Sequence, residues 1–177
     1  MKEDMIKVLL VDDDEDDFIL TRDLLNTIKG GQYDLSWISE YDEAFDAMLS
    51  TDYDIILVDF QLEARNGLDL IRSVMEKGNE TPVILLTGHG DKEVDIEAMR
   101  VGVADYLVKS EINAQTLERA IRFAIKNSLT EKALRSSESR FRSVVQNLSD
   151  IITILDKDSK ITYISPSIER FSRFESE

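Results

Sequence analysis

The chain has no cysteine, which excludes a disulfide framework and any thiolate metal site. It carries no secretory signal and no apolar run long enough to span a bilayer, so a cytoplasmic location without a membrane partner is expected. Positive charge is scarce: 21 Lys and Arg stand against 36 Asp and Glu, a net charge of -15. Such a balance argues against a nucleic-acid-binding face. The single histidine, His89, lies in Gly88-His89-Gly90, too short for a nucleotide loop and read as a flexible turn. What the chain does have, 42% hydrophobic residues over 177 positions, suffices for one good-sized core and a small second unit.

The charge is uneven. Residues 1 to 108 hold 9 Lys and Arg against 26 Asp and Glu, residues 109 to 142 hold 8 against 4, and the remainder 4 against 6. Three segments are expected: a domain over residues 1–128, a linker helix over 129–142, and a short tail over 143–177.

Asp54 to Asp59, DIILVD, organises the first segment. It is an apolar run ending on an acid, and a carboxylate at the end of a buried strand is costly unless it faces a site. Ile6 to Val11, Thr81 to Thr87 and Ala104 to Val108 are similar short runs rich in branched residues, as in strands buried on both faces. Pro82 opens one of them, where a missing N–H is tolerated. Tyr33 to Ser39 alternates and reads as an edge strand. Between the runs lie helical patterns: one capped by Asp14, one over Asp42 to Leu49, one opened by Gly67, one over Asp91 to Val101 and one capped by Asn113. Strands alternating with helices in this way give an open, parallel, doubly wound sheet.

Such sheets bind ligands at the carboxyl ends of their strands. The residues there are Asp12 and Asp13, Asp59, Thr87 and Lys109. Three carboxylates this close would repel one another unless a cation joined them. Hard oxygen ligands in a water-accessible site suit Mg²⁺. Asp59 would keep an oxygen for attack on phosphorus, with Lys109 and Thr87 offsetting charge on the incoming group.

The series VLLVDD, DIILVD, LLTG and DYLVK resembles the receiver domain of two-component response regulators, from residue 5 to about 128. The resemblance implies a (βα)5 flavodoxin-like sheet with strand order 2-1-3-4-5. It implies Asp59 as phosphoacceptor from the phosphohistidine of a histidine kinase or phosphotransfer protein. Mg²⁺ would sit on Asp13, Asp59 and the backbone carbonyl of Gln61, with Asp12 holding a metal-bound water. Thr87 and Lys109 would bind the phosphoryl group, Thr87 and Tyr106 would form the switch, and Gln61 and His89 occupy positions where related receivers vary in dephosphorylation rate. As an enzyme the chain would catalyse only its own aspartyl phosphorylation, since His89 in a loop provides no kinase core.

Two departures stand out. Ser110 replaces the usual proline after the strand-five lysine, and Leu62-Glu63 replaces the Met-Pro pair that often follows the phosphoacceptor. Neither removes a group the reaction needs. A non-phosphorylated receiver acting as a dimerisation or interaction module is the alternative. Asp14 to Asp17 read as a solvated acidic helix start. Their likeness to a calcium loop fails because the sixth position is Asp17 rather than Gly.

Beyond the receiver, Leu134, Phe141 and Leu148 recur at intervals of seven, a narrow apolar seam suited to a parallel homodimer through the linker helix. Residues 137 to 171 resemble the start of a PAS domain: ESRFRSVVQN, then a hairpin from DIITILD and ITYIS. The fold is therefore expected to end in a C-terminal helical extension and a partial PAS hairpin, as a fragment of a longer protein. Receivers joined to PAS domains resemble multidomain chains that end in a histidine kinase or a cyclic-dinucleotide enzyme.

Overall fold

The computed structural model describes residues 5–50, 52–63, 65–88, 92–147, 151–165 and 168. The chain divides into two compact units, 1–129 and 130–177.

In the first unit, β1 (Ile6–Val11), β2 (Tyr33–Ile38), β3 (Ile55–Asp59), β4 (Val83–Thr87) and β5 (Asp105–Val108) form one parallel sheet in the order β2-β1-β3-β4-β5. This is the doubly wound flavodoxin-like architecture expected from the sequence. Among the described residues α1 (Glu15–Thr27), α2 (Tyr41–Met48), α3 (Gly67–Glu76), α4 (Lys92–Val101) and the first part of α5 (Ala114–Asn147) flank it.

Successive strand residues point to opposite faces, so each continuous apolar run feeds two cores. Leu9, Val11, Ile56, Val58, Val83 and Leu85 pack with buried residues of α2, α3 and α4. Val8, Leu10, Ile55, Leu57, Ile84 and Leu86 pack with Leu25 of α1 and with Leu117, Ala120, Ile121 and Ala124 of α5. Each buried Leu or Ile contributes about 1.5 to 3 kcal/mol. This double burial fixes the level at which every strand ends, and with it the positions of the polar residues that follow.

Local chemistry sets the helix starts. Asp14 caps α1 by accepting the Asp16 N–H at 2.8 Å, Asn66 caps α3 through the Leu68 N–H at 2.8 Å, and Asn113 accepts the N–H groups of Gln115 and Thr116 at 3.0 Å. Asp54 directly precedes β3, which starts at Ile55; its carboxylate accepts the Lys7 N–H and its own N–H donates to the Lys7 carbonyl, both at 2.9 Å. Gln61–Leu62 pairs antiparallel with Arg65–Asn66, a ribbon with no periodic signal in the sequence, and Glu63 in the intervening turn has a φ of 49°.

Helix α5 continues without a break past Arg142, the expected end of the linker, to Asn147. Along it Leu134, Phe141 and Val144 are exposed while Val145 is buried; Leu148 lies outside the described residues. The second unit also holds a hairpin of β6 (Thr153–Leu155) and β7 (Ile161–Ile164). The Asp156 carboxylate closes its turn by accepting the N–H groups of Asp158 and Lys160.

Candidate functional site

The carboxyl ends of β1, β3, β4 and β5 open into one cleft of about 470 Å³ lined by Asp12, Asp13, Asp59, Thr87 and Lys109. The parallel sheet assembles them, because each follows or ends a strand whose apolar residues are locked in the core. Asp12 is fully buried and Asp59 is 6% exposed. Thr87, the last residue of β4, is also buried.

Both carboxylates are held firmly. Asp12 Oδ1 accepts the Asp14 N–H at 3.0 Å, and the Asp12 backbone carbonyl accepts the Trp37 indole N–H at 2.7 Å. The Trp37 ring in turn stacks on Phe18 of α1, with centroids 4.7 Å apart. Asp59 Oδ2 accepts the Gln61 N–H at 3.1 Å. Asp13, which is exposed, accepts the Glu63 N–H at 3.0 Å. Behind Asp59, the Gly67 N–H reaches the Phe60 carbonyl at 2.7 Å. A Cβ at Gly67 would fall 1.9 Å from the Asp59 carbonyl oxygen, so only glycine fits there.

Lys109 enters from the end of β5. Its Nζ donates to Asp12 Oδ2 and lies by Asp59 Oδ1, both at 2.9 Å, and donates to Asp17 Oδ2 at 2.6 Å. The Lys109–Ser110 bond is trans. Burial works against the charge on Lys109, but the three carboxylates outweigh it and raise its pKa above the usual value. Burial likewise raises the Asp12 pKa from 3.8 to about 6, against the pull of Lys109. Burial also raises that of Asp59, again opposed by Lys109 and by the Gln61 N–H.

Carboxylate oxygens of Asp12, Asp13 and Asp59 lie within 4.8 Å of one another. An all-oxygen set of this kind, in a cleft open to water, fits a hard divalent cation.

Asp17 corrects the sequence reading. Within the acidic helix start it is not simply solvated, because it reaches Lys109 across 92 positions. Nothing local in the sequence marks it, since acids are favoured in the first turn of a helix whatever they meet. Gln61 is exposed and lines the cleft. Tyr106 is half-buried and packs against the core beneath α2, α3 and α4 rather than lining the cleft. His89 lies outside the described residues.

The model of the response regulator receiver domain family matches residues 8–122. The chain belongs to this family. The receiver is 31% identical over 116 residues to the response regulator RppA of Synechocystis sp., covering 64% of this chain and 48% of that protein. It is 29% identical to the transcriptional regulatory protein QseB of Escherichia coli O157:H7, covering 59% of this chain and 46% of that protein. The chain thus spans about half the length of these curated relatives. Among solved structures, the signal receiver domain of a modulated diguanylate cyclase from Desulfovibrio desulfuricans G20 is 30% identical with a TM-score of 0.62, covering 72% of this chain and 99% of that one. A receiver domain protein from Clostridium thermocellum is 29% identical with a TM-score of 0.60, covering 73% and 98%. The family is that of the receiver domains of two-component signal transduction. No helix among the described residues is long and apolar enough to cross a membrane.

Proposed function

We propose that this receiver takes a phosphoryl group onto Asp59 from the phosphohistidine of a histidine kinase or phosphotransfer protein. The observation that carries the reading is the meeting of Asp59 with Asp12, Asp13 and Lys109 at the ends of three strands. Asp13, Asp59 and the Gln61 carbonyl would hold Mg²⁺, with Asp12 acting through a bound water. When bound, Mg²⁺ supplies positive charge against the oxygens of the transferring group. An Asp59 oxygen forms a bond to phosphorus as the P–N bond to the donor imidazole breaks, and the bonding pair leaves with the imidazole. Lys109 then gives up its contact with Asp59 Oδ1 and turns to the phosphoryl oxygens, while the Thr87 hydroxyl donates to another.

Replacing one carboxylate charge by a phosphoryl group is a local event with a wider effect when it biases a two-state element. Here that element comprises Thr87 and Tyr106, with output along α5. The continuity of α5 beyond residue 129 supports a path from the receiver (1–128) through a linker helix (129–142) to a PAS start (143–177). The exposed Leu134 and Phe141 support pairing of two linker helices. A receiver joined in this way to a PAS start resembles chains that end in a histidine kinase or a cyclic-dinucleotide enzyme.

Intact mass after incubation with Mg²⁺ and acetyl phosphate tests the phosphoacceptor. One added phosphoryl group in the wild type and none in Asp59→Asn supports it. No adduct in either, with beryllofluoride also failing to bind, favours the interaction module instead.

A further inference from the structure

An ammonium group has three N–H donors, and the three carboxylates around Lys109 match that number. Two of them, Asp12 and Asp59, belong to the cleft floor described above. The third, Asp17, comes from the first turn of α1 and makes the shortest contact, 2.6 Å against 2.9 Å for the others. A phosphoryl group on Asp59 needs a donor from Lys109, and the three partners do not yield equally. Asp12 is buried and held a second time by the Asp14 N–H. Asp59 Oδ1 gives way as the phosphoryl group arrives. Asp17, with its side chain 30% exposed, remains as a charged competitor that draws Lys109 toward α1.

We propose that Asp17 is a positioning residue that competes with phosphoryl oxygens for Lys109 and so limits how tightly the site holds a phosphoryl group on Asp59. The proposal rests on Asp59 as phosphoacceptor. It predicts that tightening is confined to the anion and does not extend to the cation. Removing the Asp17 charge releases Lys109 to an anion, and it also takes negative potential from a cleft that attracts a cation. A purely structural role would weaken both.

The test uses the full chain as wild type, Asp17→Asn, Asp17→Glu and Asp16→Asn, with folding followed in parallel by circular dichroism. Mg²⁺ affinity is measured by calorimetry, and beryllofluoride affinity at saturating Mg²⁺ by ¹⁹F resonance intensity. Asp17→Asn should bind beryllofluoride about fivefold more tightly, the scale of one charge-assisted contact at a partly exposed position, with Mg²⁺ affinity equal or weaker. Asp17→Glu should return toward the wild type. Asp16→Asn removes the same charge from an exposed position on the same helix turn and should change either affinity by less than about twofold. A wild type that takes up no beryllofluoride refutes the phosphoacceptor reading, and the proposal with it. A wild type that binds while Asp17→Asn binds no tighter refutes the proposal alone, as does equal tightening in Asp16→Asn.

Discussion

The burial of Asp12 makes the stability of the metal-free protein depend on pH in an unusual direction. Its pKa in the fold is about 6, against 3.8 for a free side chain, because burial penalises the charged form more than Lys109 favours it. Between these values the folded chain binds more protons than the unfolded chain, so stability rises as pH falls. The penalty for keeping Asp12 ionised is thus absent below about pH 4 and complete above about pH 6. At about 1.4 kcal/mol per pH unit, it amounts to about 3 kcal/mol. Asp59, also raised by burial, adds a slope of the same sign. Lys109, raised above its usual value, is charged in both states throughout this range and adds none. The assay is urea denaturation without Mg²⁺ at a series of pH values from 4.5 to about 7.5. Acid also relieves the repulsion of a chain with net charge -15, so the informative quantity is the difference between wild type and Asp12→Asn, in which that background cancels. The wild type should gain about 2 kcal/mol over the variant between pH 7.5 and pH 4.5, the part of the full effect that this range spans. Parallel curves for the two proteins would refute the reasoning.

Three further outcomes follow from the same geometry. Lys109→Met leaves Asp12, Asp17 and Asp59 without their shared cation and should destabilise the metal-free chain by about 2 kcal/mol in urea denaturation, a loss that Mg²⁺ largely restores; equal Mg²⁺ stabilisation of variant and wild type would contradict this. Gly67→Ala forces a Cβ to within 1.9 Å of the Asp59 carbonyl oxygen and should cost about 3 kcal/mol or more. Gly78→Ala meets no atom within 4 Å but sits at a φ of 91°, and should cost only about 1 kcal/mol; similar losses at both positions would dismiss the close-approach argument. Trp37→Phe removes the indole bond to the Asp12 carbonyl while keeping a ring against Phe18, for an expected loss of about 1 kcal/mol by thermal or urea unfolding.

Part of this site is legible because polar residues interrupt apolar runs. Asp59, Thr87 and Lys109 each stand where a buried-type strand stops, and a parallel sheet places such ends on one edge. Asp17 is different. Acids are favoured at helix starts by the helix dipole, so nothing local separates one that pairs with a distant lysine from one that meets only water. The Trp37 bond to Asp12 is hidden for the same reason, since an aromatic residue on an edge strand needs no polar partner to explain it. The Gln61–Asn66 ribbon is too short to leave a periodic signal.

By itself the sequence determined the sheet and its acidic edge. Alternating runs of apolar residues leave few ways to bury both faces of a parallel sheet, and the acids at the strand ends are then carried to one place. Only the tertiary structure decided how Lys109 divides itself among Asp12, Asp17 and Asp59, and how deeply Asp12 is buried. Those depend on distances set by helices and strands far apart in the chain, and on the exclusion of water by everything packed around them.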